Sequence, residues 1–388
     1  MRTALLACAC CVSLLLGVNS PGFAQQLMTS DGQLDKAINQ LGDFDFDVRT
    51  QASRLIRRMS LERVEPSLVL AVLGHEDGYV RFRALVLLTG FGQAAADVIR
   101  AVISDPNDRL RAVAYGYLEH YPDPAMVEYL LAALETETSE FVRPALIRAL
   151  ASHTSERTVR SRLIADIDRG VDFFRGAVIE ALGDRGARYA VGPLMNVARE
   201  SGPLQDDALL ALAKIGDQRI LPLLATLQGR DAELEPVVSG VASALGVDRL
   251  EHMRFMTESL SYAVSAGDQL GLVSASAAGL GVVASKGDAD AIDGLIDVAI
   301  EAPVAARERI AIVLASLAMR QPSVLLAYLE MRADLEAAIL VVRDGFDILD
   351  EDLAEERFFM TARASFWANP EGSRARSVAG RVIELLEF

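Results

Sequence analysis

The chain has 388 residues, about half of them hydrophobic and few aromatic, with a net charge of −16. So acidic a balance is a poor match for nucleic acid or anionic lipid, because phosphate contacts require clustered Lys and Arg. Most of the negative charge falls in residues 201–388, while 25–200 are nearly balanced; acidity of this kind keeps an Ala/Leu-rich protein soluble, or meets a basic partner.

The chain opens with MRTALLACACCVSLLLGVNSPGFAQQ. Arg2 is the one early charge, an apolar run extends from Ala4 to about Val18, and a polar break leads to small residues at Gly22 and Ala24. This three-part pattern predicts a secretory signal peptide over residues 1–24, cleaved after Ala24. The run is shorter than the roughly 20 residues a membrane-spanning helix needs. A periplasmic or secreted location follows, with no transmembrane segment expected in the mature chain. All three cysteines, Cys8, Cys10 and Cys11, lie in the segment to be removed. The mature chain then has neither disulfide nor thiol chemistry. A long stack of helices tolerates this, because it buries enough apolar surface without staples.

From residue 47 onward one phrase recurs: DVRTQASRLIRRM, GYVRFRALVLLTG, DRLRAVAYGYLEH, EFVRPALIRALAS and DFFRGAVIEALGD. Each holds an apolar pair, at Leu55-Ile56, Leu87-Leu88, Tyr117-Leu118, Ala149-Leu150, Ala181-Leu182, Ala211-Leu212 and Ala244-Leu245. Gly279-Leu280 and Val313-Leu314 continue the series less clearly. Spacings of about 30 to 35 residues mark stacked repeats. Each unit carries two helical patterns. The first is often opened by proline, as at Pro124, Pro222 and Pro322. The second is the phrase itself, with apolar residues at three and four, as at Val142, Leu146, Ile147 and Leu150. Glycine closes several second helices, at Gly90, Gly183, Gly216 and Gly246. No stretch alternates as a strand does. The expected fold is all-α, an α-α superhelix of about nine to ten helical pairs. Residues 25–320 form the solenoid, and 321–388 form a divergent C-terminal helical cap.

The phrase resembles the D-x-x-V-R-x-x-A-x-x-A-L signature of the HEAT-repeat family, and more narrowly its short bacterial form first noted in phycobilin lyases. Asp45, Val48, Arg49 and Ala52 match it, as do Asp77, Val80, Arg81 and Ala84. The resemblance covers about residues 33–320; it speaks to fold and is nearly silent on function. It implies a ladder in which the Asp and Arg at each second-helix start bridge successive units. Arg49, Arg81, Arg111, Arg143 and Arg175 are then structural. Gln205, Val238 and Val273 interrupt the ladder and Arg307 resumes it. Residues 265–285, packed with small side chains, read as a buried second helix with close neighbours.

Little in the chain points to chemistry. His120 and His153 stand near the ends of successive second helices, about one repeat apart. A metal-binding or enzymatic reading would rest on them, given a third ligand. Deoxyhypusine hydroxylase, a HEAT-like enzyme, holds iron with several His-Glu pairs; this chain has the single pair His75-Glu76, which excludes that reaction. Asp288–Asp297 fails as a calcium loop, because Ile292, Asp293 and Ala299 occupy places five, six and twelve. No catalytic residue and no cofactor is assigned. The preferred function is an exported, non-catalytic scaffold or adaptor binding a protein or peptide on its concave face. Helix position nominates Arg54, Arg57, Arg58, Arg83, Tyr115, Glu119, Arg148 and Glu180 as groove residues. A third reading is a structural component of the cell envelope, docked through Phe358, Phe359, Phe366 and Trp367. Oligomeric state stays open.

Overall fold

The computed structural model describes residues 31–388. The signal-peptide reading on residues 1–24 lies outside the described residues. Ten helical pairs follow in order. They are α1 (Asp31–Gln40) and α2 (Phe46–Arg57), α3 (Leu61–Gly74) and α4 (Gly78–Thr89), α5 (Ala96–Val102) and α6 (Asp108–His120), and α7 (Val127–Thr136) and α8 (Arg143–Ala151). Next come α9 (Arg157–Asp166) and α10 (Asp172–Asp184), α11 (Val191–Arg199) and α12 (Gln205–Ile215), and α13 (Leu221–Leu227) and α14 (Glu235–Ala244). The last three pairs are α15 (Arg249–Ala266) and α16 (Leu270–Ala284), α17 (Ala289–Glu301) and α18 (Val304–Arg320), and α19 (Pro322–Leu329) and α20 (Leu335–Leu349). Two further helices, α21 (Asp352–Ala368) and α22 (Arg374–Leu385), complete the chain. There is no strand among the described residues. The all-α superhelix read from the sequence is the fold.

Side-chain oxygens start several second helices, as capping chemistry requires. Asp45 accepts from the backbone N–H of Asp47, Asp77 from that of Tyr79, and Asn107 from that of Arg109. The apolar pairs that set the period lie on these helices. Ile56, Leu88, Leu150, Leu182, Leu212, Leu280 and Leu314 are fully buried between the two layers. Leu245 departs from the series, because α14 ends one residue before it.

The two layers pack differently, and this sets the curvature. Second helices stack on one another at small residues. A methyl group at Gly183 would stand 2.7 Å from Ala211 Cα, and one at Gly240 would stand 2.5 Å from Gly279 Cα. Gly345 meets the Ala311 carbonyl in the same way. Second helices therefore form the short, inner arc. The small-residue helix α16 is one of them and is largely buried.

The arginine ladder is present but mixed. Arg111 forks onto both Glu137 carboxylate oxygens of the next unit at 2.9 Å. Arg81 reaches Asp105, and Arg307 reaches Asp344 at 2.7 Å. Arg49 and Arg175 instead bond to carbonyls of their own interhelical loops, at Asp43 and Ile167. Arg143 stacks on Phe174 of the next second helix, 4.0 Å from the ring centre.

Residues 321–388, expected to form a divergent cap, divide in two. Helices α19 and α20 continue the stack on α17 and α18. Helices α21 and α22 turn back and run across the inner face to the first repeats, where α21 packs on α4 and α6. No single helix among the described residues is long and apolar enough to cross a membrane.

Candidate functional site

The inner face of the first three pairs holds α21. Its first two turns present carboxylates at Asp352 and Glu356, one helical turn apart on one side. Asp352 pairs with Arg83 on α4, and Glu356 pairs with Arg57 on α2. Glu356 is 1% exposed; its Oε1 accepts from Arg57 Nε at 2.7 Å, while Oε2 has no hydrogen-bond partner and lies against Gly90. Leu353 presses on Gly116 of α6, where a side chain larger than hydrogen would collide with it. Arg363 donates to the Gly90 carbonyl at 3.0 Å and lies over Phe91 and Phe359. At the chain end, Arg54 donates to both the Glu387 carboxylate and its carbonyl oxygen at 2.8 Å. Phe358, Phe359 and Phe388 bury against this seam, with Arg57 over the last two rings.

The nominated residues therefore have mostly internal partners. Arg54, Arg57 and Arg83 hold the C-terminal segment. Arg58 is exposed at the end of α2. Tyr115 does not line the groove: at 1% exposure it points into the layer between helices, and its hydroxyl meets Tyr129. Glu119 draws Arg148 at 3.4 Å and Arg185 at 3.5 Å. Glu180 pairs with Arg320 of α18, four pairs further along the chain. Helix position placed Tyr115 on the groove, whereas it is buried between the helices. Of the aromatic docking residues, Phe358 and Phe359 are buried within the molecule, whereas Trp367 is 70% exposed and meets Phe366 edge to face.

The C-terminal ends of the second helices converge on one rim. Arg320 reaches Glu180 and Asp184, Lys214 reaches Asp184 at 2.7 Å, and Lys286 donates to the Lys214 carbonyl at 3.0 Å. The Arg185 charge acts on both His120 and His153. Burial, reinforced by Arg357, Arg185 and Arg148, drives the His120 pKa down to about 3. Its Nε2 faces the Arg357 guanidinium at 2.8 Å; guanidinium only donates, so that nitrogen accepts and the ring is neutral. A lone pair so engaged, among three arginines, does not suit a metal cation. No three His, Cys, Asp or Glu side chains converge as a metal requires among the described residues.

Burial, then repulsion from Asp352 and Asp350, pushes the Glu355 carboxyl up to about 8, against the pull of Arg83 and Arg57. An unfolded Glu titrates near 4.3. The folded state therefore holds a proton that the unfolded state releases. The associated stability is complete below about pH 4.3 and is lost as pH rises through about 8. Discounted for its partial exposure, the loss between pH 6 and 9 is about 1–2 kcal/mol. Urea unfolding at both pH values should show this loss in the native protein and not in Glu355→Gln.

A family model of HEAT repeats matches residues 65–151. These residues carry HEAT repeats. No curated protein matches the sequence. Among solved structures, the chain resembles YibA of Escherichia coli at 16% identity and a TM-score of 0.40, over 57% of this chain and 84% of that one. It also resembles a chain of the Kap95p–RanGDP structure, at 12% identity and a TM-score of 0.41, over 94% and 58%. Importin beta matches at 12% identity and a TM-score of 0.39, over 90% and 64%. The chain thus spans under two thirds of the length of the last two. HEAT-repeat solenoids commonly serve protein interactions through extended inner surfaces.

Proposed function

We propose that the protein is an exported, non-catalytic HEAT-repeat scaffold that binds a protein or peptide partner on its inner face. The export half of this reading rests on residues 1–24. The observation that supports the binding half is the groove's present occupant. The inner face already accepts a helix, through carboxylates on Arg57 and Arg83, Leu353 against Gly116 and Arg363 over Phe91. An acidic amphipathic helix has the chemistry to engage the same arginines in place of α21. A helix held in trans is read by anchors one turn apart, as α21 is in cis.

The test is crosslinking in intact cells, followed by purification and mass spectrometry. Leu353→Asp, which places a charge where α21 presses on α6, should unseat the helix and raise partner recovery. Adding Arg83→Glu to that variant should abolish it. Monomeric protein without a partner, in the native and the Leu353→Asp forms alike, would overturn the proposal.

A further inference from the structure

We propose that Arg148, Arg185 and Arg357 form a site for a small oxyanion, a phosphate or a carboxylate, on the rim beside Glu119 and His120. The three arginines come from different places. Arg148 is on α8, Arg185 follows α10, and Arg357 is on the returning helix α21. Glu119 and His120 end α6 and tie the group together. Glu119 Oε2 is 3.4 Å from Arg148 Nε, its Oε1 is 3.5 Å from Arg185 Nη2, and its carbonyl oxygen accepts from Arg185 at 2.9 Å. His120 Nε2 lies 3.8 Å from Glu119 Oε2 and 2.8 Å from Arg357 Nη1.

Positive charge is in excess at this cluster. Arg320 and Lys214 face Glu180 and Asp184, a matched set. The cluster at α6 sets three guanidinium groups against one carboxylate, and His120 adds no negative charge. The excess stands inside a chain whose net charge is −16. Asp123 and Glu156 act on His153.

Donors are in excess as well. Each guanidinium carries five N–H groups in a planar fork suited to two oxygens at once. Arg357 places one of them, on a neutral ring nitrogen. Among the described residues, Arg148 pairs with Glu119 alone, and at a long distance. Arg357 is also half-buried beside the like charge of Arg185, and burial together with that neighbour lowers its pKa. A guanidinium kept charged in such a place is costly without a counter-charge, and an oxyanion supplies both the charge and the acceptors. Because Arg357 arrives on α21, the site is complete only while that helix is seated. The inference stands apart from the partner-binding proposal, which concerns Arg57 and Arg83.

The experiment is calorimetric titration of the purified protein with inorganic phosphate and, separately, with succinate, at constant ionic strength in chloride. Melting temperature is followed in parallel. One saturable site is expected for at least one anion, with a melting temperature that rises with anion concentration. Tighter phosphate binding identifies a phosphoryl ligand, and tighter succinate binding a carboxylate. Arg148→Gln and Arg185→Gln should each weaken binding about tenfold, the loss of one charge-assisted contact. Arg199→Gln, on the outer helix α11, should leave it unchanged. Arg148 is partly exposed and its ion pair is the long one to Glu119, so its variant keeps the fold and the test decisive if Arg357→Gln misfolds. Absence of saturable binding by both anions, or affinity unmoved in Arg148→Gln and Arg185→Gln, would refute the site.

Discussion

Replacing Arg57 by Met is expected to lower the stability of the protein by about 3–5 kcal/mol at neutral pH. The pair it breaks is the deepest link between the ends of the chain: Arg57 has 10% of its side chain exposed and Glu356 has 1%. Glu356 would then keep a buried carboxylate whose Oε1 has lost its donor and whose Oε2 had none. The Met side chain preserves packing on Phe359 and Phe388, so the loss reports the stranded charge and not a cavity. Adding Glu356→Leu should return much of the stability, since an apolar pair of similar volume replaces a buried ion pair at little cost. Denaturant unfolding of the two single variants and the double variant measures this coupling. If Arg57→Met costs under 1 kcal/mol, α21 is not seated as described.

Gly240→Ala is expected to be the other severe change, at about 2–3 kcal/mol net. Alanine is the better helix former by about 1 kcal/mol, so intrinsic preference predicts the opposite sign. The added methyl would stand 2.5 Å from both Cα and O of Gly279, atoms of a helix backbone that no side-chain rotation can move aside. The contact is reciprocal, because a methyl at Gly279 would strike the carbonyl of Pro236. α14 and α16 would have to separate, and the inner arc would open at the middle of the stack. Gly192→Ala makes the comparison clean. Gly192 is an exposed residue of α11 with nothing near its missing Cβ, and there alanine should stabilise by up to about 1 kcal/mol. Unfolding curves of the two variants should move in opposite directions.

The stack itself was legible in the sequence, and the reason is physical. A repeated unit meets nearly the same surroundings each time, so its period, its capping residues and its apolar pairs recur. Asp45, Asp77 and Leu150 do what their places in the phrase predict. The nominated site was legible in part. The charged positions Arg54, Arg57, Arg83 and Glu180 follow from helix phase, but their partners do not. Glu387, Glu356, Asp352 and Arg320 lie far along the chain, the first three beyond the last helical pair. Contacts across a superhelix depend on rise and twist summed over many units, which a local pattern does not encode. Tyr115 shows the complementary limit. A tyrosine at a partly polar position reads as exposed, until a neighbour such as Tyr129 gives its hydroxyl a partner within the core. The traces that were present are Gly90 and Gly116, placed on second helices where α21 later lies. They could have suggested that something presses closely on that face.

The return of α21 also changes how the molecule comes apart and goes together. In an open stack each unit touches only its neighbours, so the ends fray independently and folding can begin anywhere. Here Arg54 and Glu387 are bonded across 333 positions, and the first helices share a hydrophobic seam with the last. Fraying at either terminus must first unlatch the other, so amide protons of α2 and α22 should exchange with solvent at matched rates. A nascent chain gains none of this protection until its distal helices have been made, and closing so long a loop is slow. Until then the arginines of α2 and α4 stand open to any acidic helix that reaches them.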